Sequence, residues 1–69
     1  MNNATSQADQ VGMFYRALSD DERAMLYRIK EQGQEFIDLI ASLGESPESI
    51  RARARVEEAV MWAVKHITR

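Results

Sequence analysis

Leu43-Gly44-Glu45-Ser46-Pro47-Glu48 is the stretch that decides the fold of this chain. A glycine just past an apolar helical pattern is a helix stop, because it takes up positive φ without a Cβ penalty. Ser46 followed by Pro47 is a helix start. The serine hydroxyl accepts an amide proton that the first turn leaves free, and proline at the first helical position has no amide to lose. Stop and start lie so close that no further element fits between them, so the helices on either side must fold back as an antiparallel hairpin.

Upstream, Ala24/Met25, Ile29, Phe36, Ile37, Ile40 and Leu43 recur at a helical period and predict a helix running to about Leu43. Its start is written in Leu18-Ser19-Asp20-Asp21-Glu22. Ser19 and Glu22 have the spacing of a capping box, and the two aspartates suit the positive end of the helix dipole. Gly33 interrupts the apolar face, which marks either a tolerated cost or a close approach by another group. Downstream, a second long helix spans about 47–68. Arg51-Ala52-Arg53-Ala54-Arg55 alternates as a strand would, but Arg and Ala are good helix formers and the Pro-led start favours helix.

The end of that helix, Val56–Ile67, is the densest apolar run: eight of its twelve residues are apolar, with Ala59 and Ala63 beside Met61 and the only tryptophan, Trp62. That is wider than the stripe of an ordinary surface helix. A two-helix hairpin cannot bury all of it, so other copies of the chain are expected to cover it. Before the hairpin, residues 8–18 form a short helix or an ordered arm, with Val11, Phe14, Tyr15 and Leu18 at helical spacing and Gly12 weakening a helix by about 1 kcal/mol. Residues 1–7 are polar and expected to be flexible. The expected architecture is all-α: a short N-terminal helix or arm, then a two-helix antiparallel hairpin that oligomerises. Residues 8–69 form a single domain.

Composition points the same way. A chain of 69 residues has a thin core and leans on disulfides, metals or assembly. It has no cysteine and one histidine, too few for a thiolate or histidine metal site. Assembly remains, and the lack of cysteine fits a reducing compartment. The net charge of −2 argues against a binder of polymeric nucleic acid, but a few focused cations could still hold a small anion. No apolar run nears the roughly 20 residues needed to cross a bilayer. Met1–Gln7 lacks the basic start and apolar centre of a secretory signal, so a soluble intracellular protein is expected.

Each candidate site residue has two open readings. Tyr15 is a helix tyrosine with its hydroxyl in water, or a face that stacks on a planar ligand such as a nucleobase. Lys30 is a solvated lysine, or a phosphate ligand beside which Gly33 lets a bulky group approach the backbone. Arg51, Arg53 and Arg55, flanked by Glu48, Glu57 and Glu58, form a salt-bridged surface or a basic patch. Lys65 and Arg69 are dipole partners at a helix C-terminus, or part of a shared anionic pocket where subunits converge. His66 has no carboxylate, Ser or Cys in evident catalytic relation to it. No phosphate loop, paired-carboxylate signature or HExxH motif is present. The chain reads as a binding protein, not an enzyme, and calls for no cofactor.

Tyr15-Arg16-Ala17-Leu18-Ser19, then Met25, Ile29-Lys30 and Gly33, then Glu57-Glu58-Ala59 running into Met61-Trp62-Ala63-Val64-Lys65 and Ile67-Thr68, resembles a family of small phage proteins, the anti-CBASS cyclic-oligonucleotide sponges. The hairpin is also similar to that of sponges acting against Thoeris immunity. The resemblance covers about residues 11–68. It implies a homo-hexamer in the host bacterial cytoplasm that binds cyclic di- and trinucleotide signals without cleaving them and so blocks CBASS defence. It also implies that Tyr15 stacks on a base of a cyclic dinucleotide and Lys30 contacts its phosphate, with Arg16 and Gly33 beside them. A trinucleotide pocket where protomers meet would use Lys65 with Arg69, or alternatively Arg51, Arg53 and Arg55. A helical oligomeric protein-interaction module without a nucleotide ligand is the alternative.

Overall fold

The computed structural model describes residues 16–69. They form two helices, α1 (Asp20–Ala41) and α2 (Pro47–Thr68), packed as an antiparallel hairpin, with no strand among the described residues. Each helix has 22 residues, about 33 Å at 1.5 Å per residue. The all-α hairpin expected from the turn is what the chain adopts. Of the N-terminal arm, Arg16–Leu18 is described and is not helical; residues 8–15 lie outside the described residues.

Local chemistry sets the ends. The Glu22 amide donates to Ser19 Oγ at 3.1 Å and the Ser19 amide donates to Glu22 Oε1 at 2.9 Å, a complete capping box. Three acidic residues follow in the first turn. α1 ends at Ala41, two residues before the expected Leu43. The Leu43 and Gly44 amides donate to the carbonyls of Ile40 and Ala41 at 3.0 and 3.2 Å. Both bonds span three residues, so the last turn tightens to 3₁₀ and leaves the α path. Gly44 then takes φ +108°, a value other residues rarely adopt. Ser46 restarts the chain, its Oγ accepting from the Ser49 amide at 2.9 Å, with Pro47 opening the helix.

Along α1 the least exposed residues are Glu22, Leu26, Ile29, Gly33, Ile37 and Ile40; along α2 they include Ser49, Arg53, Val56, Val60, Ala63 and Ile67. The α2 set steps by four and three in alternation, the heptad spacing of two helices packed lengthwise. The inner face differs in part from the expected one. Met25, Phe36 and Leu43 are 46%, 53% and 81% exposed, while Leu26 takes the inner place next to Ile29. One position along a helix turns a side chain by about 100°, so neighbouring apolar residues cannot share a face. Ile40, 7% exposed, is the one buried hydrophobic side chain among the described residues. Gly33 is buried because Val60 fills its space: a Cβ at position 33 would overlap Val60 Cγ2, with Val60 Cβ at 3.7 Å.

Candidate functional site

Arg16 stands at the open end of the hairpin, where the arm meets both helices. Its Nη1 and Nη2 donate to Glu22 Oε1 and Oε2 at 3.0 and 2.8 Å, the two-pronged match of guanidinium to carboxylate. Nη2 also donates to the Ile67 carbonyl at 2.9 Å, Nε to the Arg69 carbonyl at 2.7 Å, and Nη1 to the Ala17 carbonyl at 3.2 Å. A guanidinium has five N–H donors, and all five are engaged within the chain. Glu22 is engaged on both oxygens. The hydrogen bonds from Arg16, with help from the Ser19 amide, hold its carboxyl at about 2, well below the usual 4.5, against an opposing contribution from burial. The bond to Glu22 raises Arg16 in turn. A shallow hollow here is lined by Arg16, Glu22, Asp21 and Met25 from the arm and α1, and by His66, Ile67 and Arg69 from the end of α2.

Lys30 lies about two turns further along α1. It is exposed at the edge of a groove lined by Gly33, Gln34, Ile37, Glu57 and Val60. It belongs to none of the ion pairs among the described residues. Among the described residues its ammonium is left to an anion, with Glu57 on the same groove as the repulsive element. Gly33 shares the groove, but the group that approaches its backbone in this hairpin is Val60. Gln34 is tied to Asp38 at 2.9 Å.

At the end of α2, the Lys65 ammonium sits 5.9 Å from the centre of the Trp62 ring, within reach of a cation–π contact. Trp62 is 58% exposed. The Arg69 carbonyl is held by Arg16, which carries Arg69 to the arm side of the hairpin end. The sequence cluster Arg51, Arg53, Arg55 splits, with Arg53 leaving and Arg51 and Arg55 remaining on one exposed face. Arg53 turns inward and pairs with Glu45 at 2.6 Å, Arg55 pairs with Glu58 at 3.2 Å, and Arg51 is exposed. Residues two apart on a helix point to nearly opposite sides. Tyr15 lies outside the described residues, and so does its relation to Lys30.

Two participants escaped sequence reasoning. In the sequence Glu22 shows only its capping role; its second contact, with Arg16, leaves no local signature because the partner lies outside the helix. Glu57 facing the Lys30 groove follows only from how the two helices pair.

Fold and surfaces together define a small helical hairpin, with a cation beside the seam and apolar side chains left open among the described residues. The family model of the Acb2/Tad1 hairpin domain matches residues 7–68, and the chain belongs to this family. Its members are anti-CBASS and anti-Thoeris sponge proteins, which bind signalling molecules. No curated protein and no solved structure shows a match to the chain. No helix among the described residues is long and apolar enough to cross a membrane.

Proposed function

We propose that this protein is a homo-hexameric sponge that binds cyclic di- and trinucleotide immune signals, holds them without cleavage in the host bacterial cytoplasm, and thereby blocks CBASS defence. The observation that carries the reading is the family match over residues 7–68. Tyr15 stacks on a base of the dinucleotide and Lys30 meets its phosphate; the exposure of Lys30, and its lack of an ion-pair partner among the described residues, support that role. Lys65 and Arg69 contribute to a trinucleotide pocket. The exposure of Phe36, Leu39, Ile50, Met61 and Trp62 supports assembly, since so much apolar surface is unusual on a monomer. A sponge needs no catalytic group, only affinity and copy number.

Calorimetric titration with a panel of cyclic di- and trinucleotides tests this, alongside native mass spectrometry for subunit number. Lys30→Glu should weaken dinucleotide binding about 100-fold or more, by losing a charge-assisted bond and adding repulsion, while the oligomer persists. Ligand released by heating the complex should be chemically intact. Absence of binding across the panel, with a protein partner captured instead, would favour a helical protein-interaction module, to which the same exposed apolar residues are suited.

A further inference from the structure

We propose that α1 carries a second packing seam, on the flank of the hairpin, and that this seam receives the same helix of a second copy of the chain laid antiparallel to it. The inference concerns the assembly in the function proposed above and needs no ligand.

Three observations carry it. First, Met25, Ile29, Gln32, Phe36 and Leu39 step by four and three in alternation, and Leu43 continues the series just past the helix. That is the heptad spacing of helices packed lengthwise. The hairpin itself uses a different set: of these five, only Ile29 is half-buried, and the others are exposed, Leu39 by 61%. Second, the face continues toward α2 as a groove lined by Ile29 and Phe36 on one side and by Val56, Ala59 and Ala63 on the other, with Arg55 its one charged lining residue. Small side chains there leave room for a neighbouring helix to approach closely. Third, charge selects the occupant and its direction. Gln32 is the single polar residue of the seam. Its amide both donates and accepts, so its own copy satisfies it across a two-fold axis. Arg28 stands four residues before Gln32, and Glu35 three after it. Each immediately precedes a seam residue, so both flank the seam on the same side. Neither belongs to an ion pair among the described residues. An antiparallel copy centred beside Gln32 brings Arg28 next to the partner's Glu35, twice over. A parallel copy would set Arg28 against Arg28 and Glu35 against Glu35. It would also bring together two first turns that each hold Asp20, Asp21 and Glu22. Laid antiparallel, those acidic turns lie at opposite ends of a helix about 33 Å long, well beyond the screening length of about 8 Å at physiological salt.

The test uses the full chain, whose lack of cysteine makes introduced thiols unambiguous. Arg28→Cys and Glu35→Cys are treated with a short bis-maleimide, each alone and as an equimolar mixture after subunit exchange. The mixture should give cross-linked dimer and each variant alone little, because position 28 meets position 35 and not itself. In sedimentation equilibrium, Glu35→Arg and Arg28→Glu should each weaken self-association about tenfold, through two repulsive pairs. Combining the two changes should restore wild-type affinity. Leu39→Lys should separate the copies while helical circular dichroism is retained, since Leu39 is outside the inner face of the hairpin. Cross-linking of either variant alone as readily as the mixture would overturn the inference. So would failure of the combined variant to recover, unchanged association in Leu39→Lys, or a wild-type chain that stays monomeric. A wild-type hexamer without the mixed cross-link removes this seam and leaves the proposed subunit number standing; the mixed cross-link in a wild-type dimer does the reverse.

Discussion

Gly33→Ala sets two opposing effects against each other at a single atom. In an open helix the change stabilises by about 1 kcal/mol, because alanine loses less backbone freedom than glycine. Here the added Cβ falls on Val60 Cγ2, with Val60 Cβ at 3.7 Å behind it. Val60 branches at Cβ, so the methyl cannot move aside without a change of rotamer. Either the helices part or the valine turns, and overpacking of this kind costs about 1–3 kcal/mol. The net expectation is a loss of about 1 kcal/mol where the propensity scale alone forecasts a gain. Urea denaturation followed by helical circular dichroism measures it, at one fixed protomer concentration because assembly makes stability concentration-dependent. Val60→Ala removes the obstructing methyl. Gly33→Ala should then become favourable in the Val60→Ala background, with a coupling of at least about 1 kcal/mol between the sites. A Gly33→Ala variant that is more stable than wild type with Val60 in place would refute the close approach and the seam built on it.

Two further outcomes are expected. Glu22 ionises in the hairpin at about 2, below its usual 4.5, so the unfolded chain takes up its proton first as pH falls. The contribution of Glu22 to stability is therefore complete above about pH 5 and fades as pH falls from about 4.5 toward about 2. Arg16, Asp21, His66 and Arg69 line the same hollow and the Ser19 amide bonds Glu22, so thermal melts of wild type and Glu22→Gln across that range isolate the Glu22 part; a stability difference that stays constant with pH would contradict it. Trp62, more than half exposed on the hairpin, should emit at shorter wavelength in the assembled protein than after dilution to protomers. Emission that does not move on dissociation would remove the Val56–Ile67 face from the assembly seam.

Much of this structure is local, and what is local was legible. The capping box at Ser19 and Glu22, the positive-φ glycine at position 44 and the Ser46–Pro47 start each depend on residues within one turn of each other. They set helix number, length and direction without reference to anything distant. The apolar surplus around Trp62 could also be read, since a hairpin offers too little surface to cover it. The same holds for the family: residues quoted from the arm through the end of the second helix already pointed to the sponges, and the match over 7–68 bears that out.

Tertiary structure decided what depends on pairing one helix with the other. Rotation of α1 about its axis put Leu26 inside and Met25 and Phe36 outside, and adjacent apolar residues carry no mark of which will win. Gly33 was readable as a close approach, but the approaching group, Val60, is 27 positions away in sequence. The Arg51–Arg55 cluster lost Arg53, which turns inward to Glu45, a partner eight positions away, while Arg51 and Arg55 stay neighbours on the exposed face. Arg16 changed most. By sequence it was a cation next to Tyr15; in the hairpin its five donors are spent on Glu22, Ala17, Ile67 and Arg69. The physical reason is common to all four: periodicity and capping act over a few residues, whereas helix phase, close contact and distant hydrogen-bond partnership are settled only when the chain folds back on itself.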